Sequence, residues 1–113
     1  MAFGTIRQNK FGNTITIYKG EKYDSGREAQ YARDLDLLLH EKNGKLKEWQ
    51  RQVDVALIVN GVKICSIVVD FLEIYKDGHE RWVEVKGMET PEWKLKWRLF
   101  DALHPDWDKV VVK

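Results

Sequence analysis

Three residues near one end of two adjacent strand-like runs carry the chemistry that the types and spacing allow. Asp70 lies in the apolar run Val62 to Tyr75, Glu84 and Lys86 lie in the run His79 to Lys86, and Lys76-Asp77-Gly78 separates the two. Three residues ending in glycine suit a three-residue hairpin loop with glycine in the left-handed conformation. That loop sets Tyr75 opposite His79 and therefore Asp70 opposite Glu84. Opposed residues of an antiparallel pair point to one face with Cβ atoms ~5 Å apart. Lys86, two residues further on, shares that face. Carboxylates placed this way repel, and Val68, Leu72 and Trp82 on the same face keep water from solvating them fully. A divalent cation would remove the repulsion, since two carboxylates and a backbone carbonyl suit Mg²⁺. A lysine beside it could orient a water or stabilise developing charge. The alternative is a solvated sheet end where Lys86 simply pairs with Glu84, and because registers slip, the pattern leaves both open.

The elements that must position these residues follow from turn and cap signals. Thr14 to Tyr18 alternates β-branched residues and Lys19-Gly20 turns the chain, which predicts a short hairpin or edge strand. Ser25-x-x-Glu28 has the form of a capping box. Tyr31, Ala32, Leu35, Leu38 and Leu39 follow at helical spacing, predicting a helix to about Glu41 that Asn43-Gly44 stops. Val53 to Val59 and Val62 to Tyr75 flank Asn60-Gly61, a strong hairpin signal. With a two-residue loop there, Arg51 faces Asp70 and Gln52 points to the other face; a single bulge reverses that. Thr90-Pro91-Glu92 opens a second helix, which ends before Pro105. Val110 to Val112 reads as a short apolar strand inside the sheet. The expected architecture is α/β: helix, three-strand antiparallel meander, helix and strand, with a small N-terminal β element. The chain reads as one domain over residues 1–113, with 1–10 a flexible arm.

Composition narrows the functional classes. Nineteen Lys plus Arg against eighteen Asp plus Glu leave a net charge of +1, which excludes a basic protein that coats nucleic acid indiscriminately. A third of the 113 residues are charged and 43% are hydrophobic, as in a globular domain rather than a disordered chain. No apolar run approaches the ~20 residues of a membrane helix, and the polar start lacks a signal-peptide core. The single cysteine, Cys65, cannot form an internal disulfide and reads as a buried small hydrophobe. No Cys/His spacing suggests zinc. The expected setting is reducing and cytoplasmic, with no membrane partner. No Ser/His/Asp set or glycine-rich phosphate loop is apparent, and His40, His79 and His104 read as separate exposed residues.

Val69-Asp70-Phe71 followed by Glu84-Val85-Lys86 on the next strand resembles the PD-(D/E)xK nuclease superfamily, with Val69 where the motif name has proline. Lys10-Phe11-Gly12-Asn13, Tyr23-Asp24-Ser25, Glu28-Ala29 and Glu84-Val85-Lys86-Gly87-Met88 resemble a small family of phage-encoded nuclease-like proteins. That likeness runs from about Lys10 onward. It is also similar to the nuclease domains of transposition endonucleases and archaeal Holliday-junction resolvases. The resemblance implies a restriction-endonuclease-like core, and Mg²⁺, with Mn²⁺ able to substitute, held by Asp70, Glu84 and the carbonyl of Val85. Lys86 would position or activate the attacking water.

Three further sets of residues take roles from the same resemblance. Glu28 matches a helix glutamate that reaches the metal site, although a capping-box glutamate bonds its own N-cap amide instead. Gln52 matches a glutamine common in related nucleases. Lys94, Lys96 and Arg98 on the second helix would meet DNA phosphates, while Trp93, Trp97 and Phe100 form a core-facing aromatic stripe. The implied activity is a metal-dependent DNA endonuclease, structure-selective or weakly sequence-specific, serving phage DNA recombination, repair or processing. A homodimer would supply one site per strand, and phage or host recombination and replication proteins are the expected partners. The alternative is a non-catalytic DNA-binding module that keeps a nuclease-like core inside a larger complex.

Overall fold

The computed structural model describes residues 4–8 and 14–113, which form two compact units, one ending at Gly44 and the other beginning at Lys45. The Lys10-Phe11-Gly12-Asn13 stretch lies outside the described residues.

The first unit is an antiparallel sheet of β1 (Gly4–Gln8), β2 (Thr14–Tyr18) and β3 (Glu21–Tyr23), with α1 (Gly26–Leu39) packed on β2 and β3. Gly4–Gln8 falls within the stretch read as an arm and is instead a strand, paired with β2. Lys19 and Gly20 both take positive φ, which closes the β2–β3 hairpin as the sequence suggests. Ser25 caps α1, its Oγ accepting the Glu28 N–H at 3.2 Å. Ala29, Ala32 and Leu35 are buried along the helix with Tyr18 and Tyr23 beneath. Leu38, expected on this stripe, is 44% exposed. Tyr18 donates its hydroxyl to Asp36 Oδ2 at 2.6 Å; burial, then that bond, raises its pKa to about 12.

The second unit holds β4 (Leu46–Val59), β5 (Val62–Tyr75), β6 (Glu80–Val85), α2 (Pro91–Leu103) and β7 (Asp108–Val112). The strands form one sheet in the order β4-β5-β6-β7, antiparallel except for the parallel β6–β7 pair. Both turn expectations hold. Asn60 and Gly61 sit at φ 51° and 80°, the two left-handed residues that a tight hairpin needs. Gly78 takes φ 90° and donates to the Tyr75 carbonyl at 3.0 Å, while the Tyr75 N–H reaches the His79 carbonyl at 2.8 Å. Phe71 therefore pairs with Val83 and Leu72 with Trp82, the register that places Asp70 opposite Glu84.

Two expectations need correction. Leu57 pairs with Cys65 but Ile58 with Lys63, so Ile64 bulges out of β5 and the register beyond it moves by one residue. Arg51 consequently pairs with Phe71, and Gln52, not Arg51, comes opposite Asp70. β7 is an edge strand of this sheet rather than an interior one, and its residues are all half-buried. A run of valines specifies apolar side chains on both faces, not a neighbour along both edges.

The core of this unit is Leu57, Ile67, Val69, Leu72, Trp82 and Phe100, with Trp97, Leu99 and Leu103 of α2 against it. Cys65 packs half-buried on the same cluster. Lys109 anchors the α2–β7 turn. Its ammonium donates to the carbonyls of His104 and Trp107 and pairs with Asp101 Oδ1, with 5% of its side chain exposed. The sheet fixes the end of β6, from which Lys86 emerges; the Lys86 N–H still pairs with the Val112 carbonyl at 2.8 Å. Among the described residues no helix is long and apolar enough to cross a membrane.

Candidate functional site

Asp70 and Glu84 are brought together as the hairpin arithmetic requires, and both are buried, at 9% and 3% exposure. Each carboxylate has one oxygen tied to a strand amide. The Val85 N–H donates to Asp70 Oδ2 at 2.9 Å, and the Asp70 N–H donates to Glu84 Oε1 at 3.1 Å. The second oxygens face side chains: Gln52 Nε2 stands 3.4 Å from Asp70 Oδ1, and Lys86 Nζ stands 3.6 Å from Glu84 Oε2. The backbone bonds leave neither carboxyl free to rotate, so Oδ1 and Oε2 are held at set positions beside the two strands.

Burial dominates the electrostatics. It raises the Asp70 carboxyl, against the lowering effects of the Val85 N–H, Lys86 and Gln52. It also raises Glu84, which the Asp70 charge pushes further, to about 7. Two desolvated carboxyls in contact cannot both ionise cheaply, and they titrate as a pair. A cation is the natural partner for such a pair, and Lys86 supplies only one, off to the side of Glu84.

Gln52 owes its position to the backbone. It sits at φ 53°, the left-handed region that costs a non-glycine residue energy, opposite Asp70 in the β4–β5 ladder. Strain of this kind persists where surrounding structure enforces it. The bulge at Ile64 decides the matter, since it moves Gln52 rather than Arg51 across from Asp70.

The α2 residues divide. Lys94 and Arg98 are exposed, while Lys96 pairs with Glu92 Oε1 at 3.3 Å. Glu89, on the loop that follows β6, pairs with Lys113 Nζ at 2.8 Å, and its carboxyl is held low first by that bond, then by the charges of Lys113, Lys94 and Lys86. The charges of Lys86, Lys94 and Lys113 thus act together on that loop. Lys113 has no sequence signal, because only the β6–β7 pairing carries the chain end to that loop. Glu28 belongs to the first unit, where it is buried at the third helical position of α1 with its N–H on Ser25.

Trp93, expected in a core-facing stripe, also meets Lys86. Its ring centroid lies 4.9 Å from Lys86 Nζ, and it stacks on Trp97 at 5.5 Å and 24°. Cap geometry carries it there, for the Thr90 hydroxyl accepts the Trp93 N–H and sets the first turn of α2.

The donor set suits a hard divalent cation. Among the described residues no group of three or more His, Cys, Asp and Glu gathers to hold a metal, so the side-chain donors are Asp70 and Glu84. Two carboxylates completed by a backbone carbonyl, water and substrate phosphate form an ordinary Mg²⁺ shell. Comparison with known proteins returns one family, described as "Protein of unknown function (DUF1064)", whose model matches residues 8–113. No match was found among curated proteins or solved structures.

Proposed function

We propose that this chain, which belongs to the DUF1064 family, is a metal-dependent endonuclease that hydrolyses phosphodiester bonds in DNA. The carrying observation is the pair of buried, raised carboxyls with a lysine at 3.6 Å from one of them. Such a set is costly in a purely structural sheet, and a cation with an anionic substrate beside it would offset that cost. Helix, three-strand meander, helix and strand occur in the order of a restriction-endonuclease-like core, which supports the same reading.

Asp70 and Glu84 would hold Mg²⁺ or Mn²⁺, with the Val85 carbonyl as a further ligand. When bound, the ion supplies charge neutralisation at phosphorus and acidifies water. The chain's own residues do the rest. Val85 N–H and Gln52 fix the Asp70 carboxylate, and the Asp70 N–H fixes Glu84. Lys86 orients the attacking water and faces the negative charge that builds on the phosphoryl oxygens. The water oxygen forms a bond to phosphorus and gives up a proton to solvent as the bond to the opposite ester oxygen breaks, and the departing alkoxide takes a proton from solvent. Glu28 is carried by resemblance alone and enters no step.

The cutting is structure-selective or weakly sequence-specific, branched DNA being one such substrate, and is done by two copies with one site each. Phage or host recombination proteins are the partners this implies. Lys94 and Arg98 would contact phosphate. Replacing either with alanine is expected to weaken binding to all DNAs alike and to reduce the slope of log affinity against log salt by about 1. Fluorescence anisotropy across a salt series measures this.

The test of the activity is a labelled panel of linear, nicked, flapped, single-stranded and four-way-junction DNAs with Mg²⁺ or Mn²⁺. Wild type should cut at least one of them, and EDTA or Asp70→Asn should abolish cutting while leaving a folded chain. A folded protein that binds DNA but cuts none of the panel would overturn the catalytic reading in favour of a binding module.

A further inference from the structure

Lys86 is held in a way that a plain ion pair does not require. Its ammonium stands 3.6 Å from Glu84 Oε2, beyond the 2.7–2.9 Å of a charge-assisted hydrogen bond. It also lies 4.9 Å from the Trp93 ring centroid, within cation–π range. Trp93 is itself fixed from two sides, by the Thr90 cap on its N–H and by the Trp97 stack. Its indole Nε1 is buried without a hydrogen-bond partner among the described residues. A phenylalanine there would avoid that unmet donor. What the indole offers in exchange is the best of the aromatic faces for a cation.

We propose that Trp93 is a positioning residue that holds the Lys86 ammonium off Glu84. An untethered lysine beside a buried carboxylate closes to direct contact and occupies the oxygen that a divalent cation needs. With the ring in place, Lys86 is anchored near the pair while Glu84 Oε2 stays available. The inference rests on the proposed metal site but concerns metal binding rather than cleavage.

The experiment measures Mn²⁺ affinity by titration calorimetry in a double-mutant cycle of Trp93→Leu and Lys86→Met, with Trp93→Phe as the conservative variant. Trp93→Leu should weaken Mn²⁺ about tenfold, between the scales of an exposed and a desolvated cation–π contact. Trp93→Phe should recover most of that loss. In the Lys86→Met background Trp93→Leu should have no effect, because no ammonium remains to collapse. Equal weakening in both backgrounds would mean a structural role and overturn the proposal. NMR of the metal-free wild type gives an arm independent of metal and of activity. The Lys86 ε-methylene protons should be shifted upfield by the ring, as they remain in Trp93→Phe and not in Trp93→Leu. Unshifted protons in wild type overturn the proposal whatever the metal does. Mn²⁺ binding with the expected cycle but no DNA cleavage would uphold the role of Trp93 and sink the nuclease reading instead.

Discussion

Glu84→Gln should abolish cleavage and at the same time make the metal-free protein more stable at pH 8. The side chain is buried at 3% exposure and faces Asp70, and burial followed by the Asp70 charge raises its pKa to about 7. An unfolded glutamate titrates near 4.5. Between those values the folded state binds more protons than the unfolded one, so stability falls as pH rises through the window. Above pH 7 the full cost is present, on the order of 3 kcal/mol at ~1.4 kcal/mol per pH unit. Glutamine keeps the shape and can still accept the Asp70 N–H through Oε1, but carries no charge. We expect a gain of about 1–2 kcal/mol in urea denaturation at pH 8, less than the full cost because a buried amide also needs partners. The gain should vanish near pH 5, where wild-type Glu84 is protonated. Mg²⁺ should stabilise wild type at pH 8, by about 2.7 kcal/mol at a hundred times its Kd, and do little for the variant. A variant less stable than wild type at pH 8 would mean that Glu84 is a structural ion-pair partner. Residual cleavage at wild-type rate would remove it from the catalytic machinery.

The site was legible wherever local chemistry sets the geometry. The Lys76-Asp77-Gly78 loop can close in few ways, because its last residue must be left-handed, and that single constraint put Asp70 opposite Glu84. The Ser25 and Thr90 caps were readable for the same reason: a hydroxyl three residues before the amide it accepts is a local signal. What the sequence hides is non-local. Nothing in Leu57 to Cys65 announces that Ile64 will leave the ladder, yet that one residue exchanges Arg51 for Gln52 across from Asp70. The edge position of β7 depends on which strands flank it, information that Val110-Val111-Val112 does not contain. Trp93 sits at helical spacing from Trp97 and so reads as packing; only the relative placement of the β6 exit and the first turn of α2 turns its face to Lys86. The mixed α/β order, two helices and a three-strand meander, rests on caps and turns and was accordingly recoverable.

Lys86→Met separates a catalytic lysine from a counter-ion, because the two roles predict opposite signs. As the counter-ion of Glu84, at 3.6 Å, Lys86 lowers both carboxyls of the pair. Removing it takes a positive charge away from the place where a second cation would bind, so Mn²⁺ affinity should hold or improve. If that were its whole role, cleavage would hold or improve as well. If Lys86 orients the water and faces the charge on phosphorus, cleavage should fall by roughly 10²–10⁴-fold, the range of a positioned proton-transfer or charge-stabilising group. The acid limb of the residual pH–rate profile should also move upward, since the ammonium no longer opposes protonation of Asp70 and Glu84 and protons compete with the metal for the same oxygens. Lys86→Arg should not restore the rate. A guanidinium is planar and forked, pairs with a carboxylate through two parallel hydrogen bonds, and would settle on Glu84 instead of standing off it. Single-turnover cleavage from pH 5.5 to 9 for wild type, Lys86→Met and Lys86→Arg, with Mn²⁺ affinity measured on each, distinguishes the cases. Tight metal binding with lost turnover identifies a catalytic lysine, and unchanged turnover reduces Lys86 to a partner of Glu84.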